Sequence, residues 1–377
     1  MNYRTLGRTG LQVSEIGLGC EHLQGKEYRI VKAVTDEAFE LGVNIFDIFM
    51  SEPQIRTDIG KAIAGRRDKV IIQGHLGATW KNGQYARRRN VKEVNAAFCD
   101  LLARLNTDYI DIGIIHHADT EKDIKNVFES ELIDYICGLK EKGIIRAIGL
   151  GSHSPDTAKT AVETGLIDIL MFSLNPAFDV LPHDMGLEDM LGEEAKKALQ
   201  GQLNPKRTAL YHACEKHGTA ITVMKGYMGG RLLDAKKSPF GKALTTTQCL
   251  HFALTRPAVA SVLVGCVTQE ELKQACSYIS ASEEERDFSE VFSTQAAFSV
   301  YGKCVYCNHC LPCPSRIDIA LVNKYLDIQT ATGTAAKAYN AMPAKAGDCT
   351  ACGQCEKRCP FAVPVIRRME EATKLFK

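Results

Sequence analysis

Eight cysteines crowd the end of the chain in two runs, Cys304-Val-Tyr-Cys307-Asn-His-Cys310-Leu-Pro-Cys313-Pro314 and Cys349-Thr-Ala-Cys352-Gly-Gln-Cys355-Glu-Lys-Arg-Cys359-Pro360. The second follows the C-x2-C-x2-C-x3-C-P spacing of a two-cluster iron–sulfur site at every position. Three thiolates two residues apart wrap one cubane, because a tight turn aims successive sulfurs and backbone N–H groups at the same anion. The fourth, ahead of proline, normally reaches the other cluster. The spacing therefore predicts one [4Fe–4S] cluster on Cys304, Cys307, Cys310 and Cys359, and another on Cys349, Cys352, Cys355 and Cys313. The first run is one residue shorter before its fourth cysteine. A four-thiolate zinc site is the alternative, but two runs each closing in Cys-Pro fit clusters better. His309, inside the first run, is placed to donate to cluster sulfur or to face solvent.

The elements that carry other reactive residues follow from hydrophobic pattern. Short apolar runs at Glu15–Cys20, Val43–Phe49, Val70–His75, Tyr109–His116, Ile144–Ser152, Ile167–Asn175, Ala220–Lys225 and Ala260–Cys266 alternate with helical patterns such as Ile30–Leu41 and Val91–Leu105. Eight strands alternating with helices over about 250 residues predict an α/β fold, a (β/α)8 TIM barrel. Tyr3–Thr5 and Leu11–Val13 predict a hairpin closing its bottom. Charged residues at Ser280–Asp287 mark a boundary between a barrel, 1–285, and a small helical ferredoxin-like domain, 286–377.

Barrel chemistry gathers at the C-terminal ends of strands. Asp47, His75 and His116 end the second, third and fourth strands, with Glu52 and His117 close behind. Three readings stand for them: an acid–base cluster in which Asp47 orients and charges a histidine, a two-histidine, one-carboxylate metal site, or inherited scaffold without chemistry. Lys225 and Gly265, after strands seven and eight, are candidates to hold a cofactor phosphate; for Lys225 a salt bridge is the alternative. Trp80 and Arg87-Arg88-Arg89 fall in the loop after strand three, where a solvated face is the expectation. The connection Ala177–Lys206 is long enough to be functional.

Composition narrows the partners. The chain has 377 residues, with 46 basic against 45 acidic side chains and a formal charge of +1, which argues against nucleic acid. No signal peptide and no membrane-spanning apolar stretch is evident, so a cytoplasmic protein is expected. The remaining seven of its fifteen cysteines are scattered singly, as small buried hydrophobes would be.

Leu6-Gly7-Arg8-Thr9-Gly10-Leu11-Gln12-Val13-Ser14-Glu15-Ile16-Gly17-Leu18-Gly19 resembles the opening of aldo/keto reductases. Gly42-Val43-Asn44-Ile45-Phe46-Asp47, Gly60-Lys61-Ala62-Ile63 and Asp108-Tyr109-Ile110-Asp111-Ile112-Gly113-Ile114-Ile115-His116-His117 do likewise. The resemblance covers residues 1 to about 280, and a branch of that family carries the same ferredoxin-like tail. It implies hydride transfer from NADPH to a carbonyl, with a tyrosine acid tuned by lysine, aspartate and histidine. Asp47 and His116 match that aspartate and histidine. Glu52 stands where the family has tyrosine, and His75 where it has lysine. Gly151 and Ser152 replace the pair that holds the nicotinamide amide, Met171 replaces a glutamine, and Met224 falls near the stacking aromatic. The loop after Gly265 has no Arg or Lys for a 2′-phosphate.

These departures predict weak NADPH binding or none. The expected function is an anaerobic oxidoreductase that passes single electrons through two [4Fe–4S] clusters to or from a substrate or cofactor in the barrel mouth. A flavin would mediate between one- and two-electron chemistry. The alternatives are an NAD(P)H-dependent carbonyl reductase with a rearranged tetrad, and an electron-transfer protein whose barrel is idle. The expected partners are a small-molecule substrate and a ferredoxin or flavodoxin electron carrier, with no nucleic acid and no membrane.

Overall fold

The computed structural model describes residues 1–81, 83–180, 203–289, 302, 304, 306, 310–359 and 362–376. By contact density the chain forms two compact units. One holds Met1–Leu174, His217–Gly226 and Ala258–Ile279; the other holds Asn175–Lys216, Tyr227–Pro257 and Ser280–Lys377.

The first unit contains a closed barrel of eight parallel strands: β3 (Ile16–Gly19), β4 (Ile45–Ile48), β5 (Ile71–Leu76), β8 (Ile110–Ile115), β9 (Ile145–Ser152), β10 (Ile169–Ser173), β11 (Ala220–Met224) and β12 (Val259–Gly265). All eight expected strands are present, within two residues at each end. Their near-continuous apolar sequences suit strands buried on both faces. The terminal hairpin, β1 (Tyr3–Thr5) with β2 (Gln12–Ser14), places Leu6 and Val13 in one core with Ile45, Ile112, Ile114, Ala147, Ile169 and Leu263. This plugs the barrel interior, as expected. A Cβ on Gly7 would collide with the carbonyl of Gly218, so only glycine lets the hairpin approach that closely.

Helix α1 (Tyr28–Glu40) buries Val31, Val34, Thr35 and Ala38, one stripe at helical spacing. Helix α3 (Val91–Leu105) is capped by Asn90, whose side chain accepts from Lys92 N at 3.0 Å and Glu93 N at 3.3 Å, and it ends at left-handed Asn106. It buries Val94, Phe98, Leu101 and Leu105. Truncating fully buried Leu101 to alanine would cost about 2–5 kcal/mol.

The segment after β5 corrects the sequence reading. The expected loop is a second hairpin, β6 (Ala78–Lys81) with β7 (Gln84–Arg87), paired antiparallel. Gly77, at φ 95°, turns the chain out of the barrel, and its carbonyl accepts from Arg88 N at 2.9 Å. Ser51 Oγ donates to Thr79 O at 2.8 Å and pins the first strand.

In the second unit, the helix Ile319–Thr332 packs against Val365–Leu375, each contributing buried apolar residues, Val322 and Leu326 against Met369 and Ala372. The ring of Phe376 stacks on Tyr339 at 3.9 Å. Phe288 meets Phe252 edge-on at 5.2 Å. Most of the long connection Ala177–Lys206 lies outside the described residues. No described helix is long and apolar enough to cross a membrane.

Candidate functional site

Asp47, His75 and His116 converge at the barrel mouth, all buried. His75 Nε2 lies 3.0 Å from Asp47 Oδ1, and His75 Nδ1 lies 2.8 Å from His116 Nδ1. The other nitrogen, His116 Nε2, meets the phenol of Tyr85 at 2.6 Å. Tyr85 arrives on β7 and is 47% exposed, so the chain of hydrogen bonds runs from a buried carboxylate to a half-exposed tyrosine. Phe49 stacks on His116 at 5.5 Å and meets Tyr85 edge-on at 6.1 Å.

The tautomers follow from the carboxylate end. Asp47 only accepts, so His75 carries its proton on Nε2 and accepts at Nδ1. His116 must then carry its proton on Nδ1 and accept from Tyr85 O–H at Nε2. Burial, then the charges of His75, His117, Arg89 and Arg87, hold His116 well below the usual histidine value, which keeps it neutral. Burial likewise raises the phenol of Tyr85 against the opposing pull of Arg87 and Arg89, so it keeps its proton. Below this chain, Gln73 Nε2 donates to Asp47 Oδ1 at 2.7 Å and Gln73 Oε1 accepts from Thr222 at 3.0 Å, a polar crosslink through the barrel interior.

A second constellation lies beside the first. Asp119 Oδ2 lies 3.0 Å from His117 Nε2 and is hydrogen-bonded to His153 Nδ1 at 2.9 Å. Its Oδ1 takes Ser152 Oγ and the amide of His153. The three donor atoms lie within 4.8 Å of one another. Arg87 donates to His117 Nδ1 at 3.2 Å, however, which forces the His117 proton onto Nε2 and commits it to Asp119. A cation would meet that proton and the adjacent guanidinium, so hydrogen bonding accounts for the group.

The arginine run is only partly a solvated face: Arg87 and Arg88 keep much of their side chains exposed, whereas Arg89 turns inward. Arg89 Nη2 donates to the carbonyls of His116 and His117, both at 2.7 Å, and fixes the backbone where His117 takes a left-handed φ of 53°. Arg87 pairs with Asp123 at 3.0 Å and Arg88 with Glu93 at 3.5 Å.

Other expected residues are placed apart from this chain. Glu52 caps the helix α2 (Pro53–Ala62), its carboxylate accepting from Gln54 N at 2.9 Å and Ile55 N at 2.8 Å. Lys225 follows β11 with φ 61°. Gly265 faces His22, and any Cβ there would strike the imidazole.

In the second unit, Cys313, Cys349, Cys352 and Cys355 line one cavity. Its walls are otherwise mostly apolar, including Ile317, Ile319, Val365 and Met369. Left-handed Ala351 (φ 54°) and Gly353 (φ 70°) curl the turn, and Ala351 N–H points at Cys349 Sγ, 3.4 Å away. Four thiols with an inward amide in an apolar cavity are the donor set that an iron–sulfur cubane takes. Of the first run, Cys304 and Cys310 are described, while Cys307 and His309 lie outside the described residues. Tyr306, between them, is anchored by Asp327 at 2.6 Å, which in turn binds Arg368 at 2.6 Å.

Sequence reasoning missed Tyr85, Gln73, Asp119 and His153. A period-two pattern, Ala78–Lys81 against Gln84–Arg87 around Gly83, was the available signal for the hairpin that brings Tyr85 in.

Comparison with known proteins agrees with this architecture. Residues 15–184 match the aldo/keto reductase family, and residues 303–364 match the 4Fe-4S dicluster domain. An uncharacterized oxidoreductase of Bacillus subtilis, YqkF, is 31% identical over 76% of this chain and 94% of its own length. L-galactose dehydrogenase of Arabidopsis thaliana is 25% identical over 76% of this chain and 92% of its own. The fold is shared with the aldo-keto reductase AKR11C1 of Bacillus halodurans in its holo form, at a TM-score of 0.61 and 24% identity, covering 79% of this chain and 98% of that one. The chain belongs to the aldo/keto reductase family and carries a 4Fe-4S dicluster domain near its C-terminus. It is an oxidoreductase of small molecules, and the dicluster match spans both cysteine runs, which supports iron–sulfur clusters over zinc.

Proposed function

We propose that this protein reduces or oxidises a small-molecule substrate with electrons carried singly by two [4Fe–4S] clusters, while the barrel mouth handles the accompanying proton. The observation that carries this reading is the unbroken chain Asp47–His75–His116–Tyr85. When bound, the clusters exchange one electron at a time; Cys304, Cys307, Cys310 and Cys359 would hold one, and Cys313, Cys349, Cys352 and Cys355 the other.

The chain has two states that differ by one proton. In the charged state His75 is an imidazolium with Asp47 as counter-ion, its Nδ1–H donates to His116, His116 Nε2–H donates to Tyr85, and the phenol proton is free to face a substrate. Delivery from Tyr85 O–H shifts each proton one step outward. The result is the neutral state, with Tyr85 donating to His116. His116 remains neutral and Tyr85 remains protonated in both, as their environments require. Tyr85 is then the acid at the mouth, His116 the conductor, and Asp47–His75 the store. Glu52, committed to a helix end, takes no part.

NADPH is not the reductant in this reading. Ser152 Oγ is engaged by Asp119, Met171 offers no amide, and Gly265 is backed by His22. Lys225, after β11, is assigned as an anion contact for substrate. The donor is instead a reduced protein carrier such as a ferredoxin or flavodoxin.

The test is an oxygen-free preparation screened for reduction of carbonyl, enoate, and sulfur or nitrogen oxide acceptors with reduced viologen or with NADPH. Turnover with viologen alone supports the proposal, and a flavin band in the same spectrum would identify the expected mediator. Ketone turnover with NADPH and none with viologen would replace it by the rearranged carbonyl reductase.

A further inference from the structure

Arg358 ends the short helix Gln354–Arg358, between Cys355 and Cys359 in the chain. Its Nη2 donates to the carbonyls of Cys310 and Pro312, both at 2.7 Å, so one guanidinium ties the second cysteine run to the backbone of the first. The same side chain lines the cavity shared by Cys313, Cys349, Cys352 and Cys355. It is the sole charged residue among the described residues lining that cavity. Its Nε–H is buried and has no hydrogen-bond partner, and no carboxylate pairs with it among the described residues. A buried donor on a cation is costly to leave unsatisfied. A sulfur-rich anion in the cavity would satisfy it.

We propose that Arg358 sets the reduction potential of the cluster held by Cys313, Cys349, Cys352 and Cys355. This rests on the iron–sulfur reading above. Reduction adds one negative charge to the cluster. A fixed positive charge in an apolar wall shared with four thiols, with a buried N–H free to donate, favours the more negative state and raises the potential. The other cavity walls offer no side-chain charge to compete. The two carbonyl bonds hold the guanidinium in place, so its distance from the thiolates does not depend on a flexible stem. Lysine would keep the charge but lose the Nε–H and the Nη2 group that reaches both carbonyls.

The experiment is an EPR-monitored redox titration of the full chain, purified without oxygen, for wild type, Arg358→Lys and Arg358→Gln. Cys355→Ser identifies which signal belongs to this cluster. At the wild-type midpoint, Arg358→Gln should lower the reduced-to-oxidised ratio of that cluster about tenfold, or about 59 mV for a one-electron couple. Arg358→Lys should fall between the two, and the other cluster should move much less. A structural role alone would lower iron and sulfide content without moving the midpoint of the clusters that remain. An unchanged midpoint in fully loaded Arg358→Gln, or an equal shift of both clusters, overturns the proposal. Should Arg358→Gln not load, Arg358→Lys decides: a lower potential at this cluster alone supports the assignment, and an unchanged one overturns it. A wild-type preparation without iron and sulfide would sink the iron–sulfur reading itself, a result distinct from either.

Discussion

The barrel mouth and the cysteine cavity are both reactive, but they are completed differently. At the mouth each nitrogen of His75 and His116 has a protein partner, from Asp47 through to Tyr85. In the cavity four thiols and one guanidinium, Arg358, stand among mostly apolar walls. The first arrangement is paid for by folding. The second holds the donor set of a cluster, whose bonds to metal and sulfide would add to the stability of that unit. Perturbing one region should therefore leave the other's signature intact.

The largest separation should come from the cysteines. Cys355→Ser should remove one cluster, lowering about eight iron per chain to about four, and abolish viologen-driven turnover. The histidine signals of the mouth in NMR should persist. A full iron complement in that variant would show that Cys355 is not a ligand.

Next come the proton carriers. Tyr85→Phe and His116→Ala should each lower turnover by about two to four decades while iron content stays at the wild-type level. Asp47→Asn, which removes the counter-ion for the stored proton, should lose about two decades. Full activity in Tyr85→Phe, on any acceptor that the wild type reduces, would place the acid elsewhere.

A smaller effect separates the regions by pH. Native His116 is held well below the usual histidine value of about 6.5, and burial lowers His117 in the same direction. The unfolded chain takes up these protons near 6.5, and the folded chain resists them. Stability contributed by the neutral histidines is thus complete above about 6.5 and declines as pH falls toward the lowered native values. Urea midpoints at pH 7.5 and 5.5 should show this loss, and His116→Asn should show less of it. An equal acid loss in that variant would remove His116 from the account.

The smallest effect should be at the helix cap. Glu52→Ala should lower stability by about 1 kcal/mol through lost acceptance from Gln54 N and Ile55 N. Glu52→Asp, which keeps a carboxylate there, should recover part of it. A loss of turnover beyond tenfold in the well-folded alanine variant would return Glu52 to the chemistry.

What could be read in advance divides along the same line. Ligand spacing is a local property, and Cys349-x2-Cys352-x2-Cys355 announces itself within a few residues. The barrel was legible too, because eight apolar runs each bury both faces and mark their own boundaries. Asp47, His75 and His116 were locatable since a strand's end fixes where its last residue points. Tyr85 was not, because its role depends on a hairpin leaving the barrel and folding back on the fourth strand. Glu52 misled for the opposite reason. It occupies the position five residues after Asp47 that the family resemblance highlights, yet a helix begins at Pro53, and a carboxylate ahead of the free N–H groups of Gln54 and Ile55 is drawn to them.

The hairpin that carries Tyr85 has a consequence for inheritance. Its strands pair with each other and with no barrel strand, and it leaves and rejoins the chain between Gly77 and Arg88. It is therefore an insertable cassette: a lineage can gain, lose or exchange it in a single event without altering the register of the barrel. Comparing such proteins column by column would record a missing acid where a phenol had only changed its address. Transplanting Gly77–Arg89 into a barrel that keeps the histidine at the end of its fourth strand is the direct way to find out how portable that address is.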